Sequence, residues 1–389
     1  RAPAEKRRTG ALISGVYQPL DEFKVLADYY YARSDDRTDP GVAINRATGK
    51  VDHDIKYVGQ SGLDFQETGA DIFTLGFEWE LGDGVKLENK SRIGSTENSY
   101  IVSAYQRNRN TGADETRSFS GWQENDYIGN QTNLTIDKMW GDVRHTVIVG
   151  GEYANEQTDA GGYSATPDSV AVDPYNPDNN AWRGTKTRGA KTSSLELETL
   201  SAYVMDTITL NDDWEVFGGV RYDRFDYALD TKERPGRGNT IIPAATYEYD
   251  DGFWNGHLGV VYSPWEHGNV YVSWSTSSNI NGGEADAGTN CGYGGICVDD
   301  AGNYASAEPE QSTNWELGTK WNLLDHRLLL TAAVFQTTKD DVIEGGNDSY
   351  QTGGSLNTGK NRVHGVELGL SGNITDNLSG QIGAAVMNS

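Results

Sequence analysis

Residues 308–341 read EPEQSTNWELGTKWNLLDHRLLLTAAVFQTTKDD, and residues 357–389 read NTGKNRVHGVELGLSGNITDNLSGQIGAAVMNS. Trp315, Leu317, Thr319 and Trp321 alternate with Glu316, Gly318 and Lys320; Val366, Leu368 and Leu370 alternate with Glu367, Gly369 and Ser371. Leu378, Ile382, Ala384 and Val386 share a parity, with Ser379, Gln381 and Gly383 between them. A period of two gives strands with one apolar and one polar face. The links at 323–326 and 374–377 are tight, whereas the links at the opposite strand ends are long and polar. Short turns on one side and long loops on the other are the layout of an outer-membrane β-barrel, with the apolar face on lipid and the polar face on a lumen.

The same pattern runs through the rest of the chain. Phe73, Leu75, Phe77, Trp79 and Leu81 form an outward stripe against Thr74, Gly76, Glu78 and Glu80. Gly82, Asp83 and Gly84 have the composition of a hairpin turn, and the return strand places Val85, Leu87 and Ile93 outward and Lys86, Glu88, Lys90 and Arg92 inward. Further hairpins are expected around 140–142, 211–213 and 264–268. Val216, Val220 and Tyr222 face outward there, and Glu215, Arg221 and Asp223 inward. The phase of residues 200–208 is ambiguous. Residues 34–68, 104–120 and 155–194 read as loops, the last the longest; forty structureless residues are odd in a soluble domain and ordinary on the outside of a barrel. The sum is an all-β transmembrane antiparallel barrel segment of about fourteen strands. Trp140, Trp214, Trp265 and Trp321 flank turns, as in an interfacial aromatic belt.

The chain has 389 residues, only 36% of them hydrophobic, with a mean hydropathy of −0.63. No apolar run approaches the roughly 20 residues of a membrane helix. Alternation dilutes the barrel signal, so low hydropathy agrees with a barrel. The net charge of −25 argues against nucleic acid, which requires a basic footprint. It fits acidic surface loops, or carboxylates bridged by divalent cations to lipid headgroups. The chain opens without an initiator Met or a signal peptide, and reads as an internal piece of a longer protein.

Cys291 and Cys297 lie in CGYGGIC, inside a Gly-rich stretch. Two thiols with no nearby His do not make a metal site, and an oxidising cell surface permits a disulfide. Such a ring would hold Tyr293 at its tip, either as a staple against proteolysis or as a lid element. Residues 354–360 match G-x-x-x-x-G-K, but Asn361 stands where a phosphate loop needs Ser or Thr and a strand follows instead of a helix. The six histidines are scattered, and no nucleophile–base constellation emerges. The chain is not expected to be an enzyme or to carry a cofactor or metal.

WELGTKWNL (315–323), LLLTAAVFQTTKDD (328–341), RVHGVELGLSGNITDNLSG (362–380), LETLSAYVMDTITLNDDWEVFGGVRYDRFD (197–226) and YVSWSTSSN (271–279) together resemble the barrel of TonB-dependent outer-membrane receptors, in the ferric-siderophore branch. FTLGFEWELGDGVKLENKSRIG (73–94) and QTNLTIDKMWGDVRHTVIVGGEY (131–153) are most similar to catecholate-siderophore receptors. The resemblance implies a plugged barrel of about 22 strands in the outer membrane of a Gram-negative bacterium. Residues 1–389 would then be one partial barrel domain, with the N-terminal plug and the C-terminal strands outside it. It implies TonB–ExbB–ExbD as partners acting through that plug, outer-membrane lipid around the barrel, and iron carried only as ferric-siderophore cargo. A passive porin-like channel, or uptake of cobalamin, haem or a glycan, are the alternatives.

Catecholate complexes are anionic and aromatic, so arginines would meet the charge and Tyr or Trp rings would stack. Tyr105, Arg107, Arg109, Trp122, Tyr163, Trp182 and Arg183 are the expected ligand contacts on that basis. For the cysteines, mass spectrometry of the unreduced, surface-exposed protein should find Cys291 and Cys297 linked within one peptide. Free, alkylatable thiols on intact cells would remove the disulfide.

Overall fold

The computed structural model describes residues 4–41, 44–45, 49–108, 111–235, 241–280, 309–344, 356–375 and 377–389. In chain order the strands are β1 (Glu5–Leu20), β2 (Phe23–Arg37), β3 (Ile44–Asn45), β4 (Lys50–Val51), β5 (Phe65–Gly82) and β6 (Val85–Arg107). Then come β7 (Asp114–Trp140), β8 (Val143–Thr166), β9 (Ser169–Ala171), β10 (Thr185–Thr209), β11 (Trp214–Thr231), β12 (Arg234–Pro235) and β13 (Ile241–Ile242). The last six are β14 (Ala245–Trp265), β15 (Gly268–Asn279), β16 (Glu310–Leu323), β17 (Leu328–Glu344), β18 (Leu356–Thr375) and β19 (Leu378–Asn388). Fourteen of these pair in sequence order within one 15-stranded sheet, from β1 to β19, and β9 pairs off that path with β7. Every pairing is antiparallel, and β1 and β19 form the two edges of the sheet, which does not close on itself among the described residues. The expected strand count, tight turns and antiparallel order are observed.

Alternation sorts the side chains as the sequence required. Leu75, Trp79, Ile93, Ile128, Val149, Val204, Val220, Leu258, Val272, Leu317 and Val366 are large, apolar and exposed, which marks the lipid face. Register carries the stripe across the wall, as in Val149 to Val204 to Val220. It also settles the ambiguous strand: Leu200 and Val204 are exposed, whereas Ser201 and Tyr203 are buried. At the turn end Trp214 stacks on Tyr262 at 4.2 Å, and Trp265 lies 5.2 Å from Trp321. Higher up, Tyr222 meets Trp254 at 4.9 Å. The rise from Trp214 to Tyr222, at ~3.3 Å per residue and a tilt of ~40°, is about 20 Å. That is close to the height of an outer-membrane apolar band, about 25 Å. One polar island sits inside the stripe, with Leu87 and Leu134 below it and Ile93 and Ile128 above. There Asn89 donates to Asn130 at 3.1 Å and to Thr132 at 2.8 Å, and Asn130 donates back at 3.2 Å and to Ser91 at 2.7 Å. The amides satisfy one another, which is what hydrocarbon surroundings demand.

Asp83 and Gly84 both have positive φ (53° and 73°), the signature of a type I′ hairpin turn. A Cβ at Gly84 would lie 2.1 Å from the Asp137 carbonyl oxygen, so only glycine fits that corner.

The loop expectations need correction. Strand β6 runs on to Arg107 and β7 starts at Asp114, inside the stretch read as a loop at 104–120. Strand β8 reaches Thr166 and β10 begins at Thr185, inside the stretch read as a forty-residue loop. Strands β2 and β5 likewise enter the 34–68 stretch. A membrane crossing needs ~9–11 residues, and β7 has 27. With the turn ends fixed at one interface, the surplus projects on the other side. Both faces are wet there, so the backbone ladder continues without an apolar period to announce it.

Leu258→Arg, on the lipid face between the two aromatic bands, should cost about 2–4 kcal/mol of barrel stability, the usual penalty for a cation at mid-bilayer. Loss of the heat-modifiable folded band of the full-length protein on a gel would report it. A folded fraction equal to wild type would show that Leu258 does not face lipid.

Candidate functional site

The wall has two surfaces above the membrane, and unbroken register says which residues lie on each. Tyr105 and Arg107 share the parity of Ile93 on β6, Trp122 shares that of Ile128 on β7, and Tyr163 shares that of Val149 on β8. All four therefore continue the outward face. Trp182 and Arg183 lie between β9 and β10. Arg109, Cys291 and Cys297 lie outside the described residues.

Much of this outward surface is covered by two segments, residues 49–64 and 172–184, which fold together as one cap. Gln60 is 0% exposed. Its amide nitrogen donates to Val58 O and Asp178 O, each at 3.1 Å, and its oxygen accepts the Trp182 N–H at 2.9 Å. Asn179 donates to Tyr57 O at 2.9 Å and Gly59 O at 2.8 Å. Backbone bonds from Lys56 to Pro174 and from Ser61 to Asn179 add a short ladder. Leu63, Ile101 and Trp182 make the core, with Phe65, Tyr163, Ala165 and Val170 against it. The Trp182 indole is 6% exposed and donates to Pro167 O at 2.8 Å. Lys186 Nζ lies 4.5 Å above the Phe65 ring and donates to Leu63 O at 3.0 Å. Burial pushes the Asp64 carboxyl up from its ordinary range, against the bond from Ser103 Oγ at 2.6 Å. Burial likewise lowers Lys186.

The expected ligand residues therefore differ in what they present. Trp122 is 6% exposed; its indole donates to Gly189 O at 3.2 Å, and the Arg188 guanidinium lies 4.0 Å over its ring. Tyr163 meets Phe65 edge-on at 5.3 Å. Tyr105 donates to Asp114 at 2.7 Å, and burial, then that bond, push its hydroxyl up to about 12. Arg107 and Arg183 are exposed. Arg107 donates to Gly112 O at 3.2 Å.

The opposite, lumen-facing surface holds residues that the loop reading passed over. At the top of β7, Arg117 lies 5.8 Å over the Phe119 ring. Both are exposed, Phe119 at 53%, on the parity of Gln131 and Asn133. Across the wall Leu195, Phe225, Tyr227, Leu229 and Tyr247 form a buried cluster, with Tyr249 and Phe253 at its margin. Phe225 is 0% exposed and meets Tyr249 edge-on at 5.3 Å. Below it Arg221 binds Asp223 at 2.8 Å, Glu152 at 3.1 Å and Ser201 at 2.8 Å, and lies 5.3 Å over Tyr203. Tyr203 in turn donates to Asn133 and accepts from Gln131. A signal existed for this half of the site: in residues 225–229 the bulky side chains Phe225, Tyr227 and Leu229 fall on the inward parity of Arg221 and Asp223, which a lipid stripe does not require.

The family model for the TonB-dependent receptor-like β-barrel matches residues 16–386. This chain belongs to that family. It is therefore part of an outer-membrane β-barrel receptor of Gram-negative bacteria. Among curated proteins it is 29% identical over 360 residues to the catecholate siderophore receptor Fiu of Escherichia coli strain K12, covering 86% of this chain and 46% of that protein. It is 27% identical over 402 residues to the probable TonB-dependent siderophore receptor PiuA of Acinetobacter baumannii, covering 96% and 52%. The crystal structure of that PiuA superposes with a TM-score of 0.85 at 26% identity, over 99% of this chain and 57% of the other. The closed form of Escherichia coli Fiu gives 0.81 at 25%, over 100% and 59%. The chain thus spans about half the length of the curated relatives it matches.

Gln60→Ala should loosen the cap. It removes three hydrogen bonds and leaves buried partners unmet, about 1–3 kcal/mol. Limited proteolysis on intact cells should then cut within 49–64 and 172–184 together, since the two segments share one core. Cutting confined to one segment would show them to be independent loops.

Proposed function

We propose that this segment forms most of the barrel wall of a receptor that takes up a ferric siderophore of catecholate type across the outer membrane. Energy coupling runs through TonB with ExbB and ExbD, acting on a plug segment that this chain does not include. The observation that carries the reading is the exposed Arg117–Phe119 pair on the lumen-facing surface. A guanidinium beside an open aromatic face suits a ligand that is both anionic and aromatic, and Fiu, a relative, is named for catecholate siderophores. The protein acts as a receptor and transporter, without catalysis or a resident cofactor. Iron enters only as cargo.

Of the seven residues expected from sequence, Arg107 and Arg183 are exposed and serve as outer collectors of the anion. Tyr105, Trp122, Tyr163 and Trp182 hold the extracellular wall and cap in shape around the mouth.

The full-length receptor, expressed in a strain lacking other siderophore receptors, should restore growth on ferric catecholates under iron limitation. Arg117→Glu combined with Phe119→Ala should weaken ferric-catecholate binding at least tenfold, about 1.4 kcal/mol, with the folded barrel intact. Failure to restore growth on every siderophore tested would end the transport reading, and unchanged binding by the double variant would end the role of this pair.

A further inference from the structure

The polar island on the lipid face satisfies its amide protons and leaves other groups unspent. Asn89 donates to Asn130 Oδ1 and Thr132 Oγ1, and Asn130 donates to Asn89 Oδ1 and Ser91 Oγ. Each amide oxygen thus accepts one bond and keeps a second lone pair. The Ser91 and Thr132 hydroxyls each accept an amide proton and donate to nothing among the described residues. Two donors and two acceptors remain in one cluster of half-buried side chains. Above them on this face the first polar positions are Ser95 and Asp126, about 10 Å higher at ~3.3 Å per residue and a tilt of ~40°. Lys138 lies about 15 Å below Thr132 on the same measure. The island therefore sits inside the apolar band, out of reach of water and lipid headgroups.

The surface beside it is low. Asn89 is in register with Thr132, Thr132 with Gly151, and Gly151 with Ala202. A Cβ at Gly151 would have only the Ser201 carbonyl oxygen within 4 Å, at 3.6 Å. The row just below, Leu87, Leu134, Val149 and Val204, stands higher and is apolar. Strands β6, β7, β8 and β10 lie in the interior of the sheet, away from its edges β1 and β19. Neither a strand added at an edge nor a segment inside the lumen covers this outward patch.

We propose that the patch is a contact between two copies of the receptor in the outer membrane, related by a two-fold axis along the membrane normal. Such an axis sets each height on the wall against the same height on the second copy, so the surface must complement itself. The island does so. The Thr132 and Ser91 hydroxyls of one copy donate to the Asn89 and Asn130 amide oxygens of the other, and the reverse bonds form with them. A saturated acyl chain offers no donor or acceptor for these groups. In lipid, proteins associate through close packing at small residues and through hydrogen bonds between polar ones, and Gly151 and Ala202 leave room for that approach. The inference is independent of the cargo.

The test uses the full-length receptor in native outer membranes, with Cys291→Ser and Cys297→Ser. Val149→Cys, bordering the patch, should form an oxidised band of twice the receptor's mass that contains receptor alone. Val272→Cys, on the lipid face of β15, should stay single. Asn89→Leu combined with Asn130→Leu, added to Val149→Cys, should lower the crosslinked fraction at least tenfold with the heat-modifiable folded band retained. If that variant loses the folded band, Gly151→Leu, which fills the trough on its open side, is judged by the same tenfold loss. A Val149→Cys receptor that stays single overturns the contact, as does a band holding a different protein. So does a crosslinked fraction that the leucines leave unchanged.

Discussion

Every backbone N–H and C=O at membrane depth must find a partner within the protein, because hydrocarbon offers none and each unmet group costs several kcal/mol. That constraint explains the shape of this chain. Fourteen long strands pair antiparallel in chain order, so each hairpin satisfies half of the bonds of its two strands and leaves the rest to the next hairpin. The same rule reaches side chains. Asn89 and Asn130 stand on the lipid face, and they exchange hydrogen bonds with each other and with Thr132 and Ser91 instead of with solvent.

Above the membrane the rule relaxes, and the wall is used differently. Water can satisfy the backbone on both sides, so strands β6, β7, β8 and β10 extend well beyond a bilayer crossing without an apolar stripe. Stability there comes from local cores. On the outward surface the cap is built around Gln60, Trp182 and Leu63; on the lumen surface Phe225 is enclosed by Tyr249, Phe253 and Tyr227. Their rigidity matters for recognition, since a mouth fixed in advance loses less entropy when a ligand binds.

The lumen wall divides its charges by task. Arg221 is surrounded by Glu152, Asp223, Ser201 and the Tyr203 ring, which ties β8, β10 and β11 together across the wall. A pair so enclosed gives little to a passing anion. Arg117 has no such carboxylate partner among the described residues, and it faces the same interior above the membrane. Composition counts all these arginines and lysines alike; only their neighbours separate structural charge from available charge.

The barrel wall was legible in the amino-acid pattern alone. A period of two, tight Asp-Gly and Asn-Asp turns, and tryptophans at strand ends are local signals, and lipid enforces them strongly enough to be read without coordinates. The parity of most crossing strands was equally legible, because one face had to be apolar. The sequence could not say where strands end above the membrane, since no solvent contrast marks them there. Nor could it separate Trp182, which fills a core, from Arg117 and Phe119, which remain open. Both kinds of residue sit in polar stretches with the same composition. The partners that distinguish them, such as Gln60 for Trp182, lie over a hundred residues away in the chain, and only the tertiary structure brings them together.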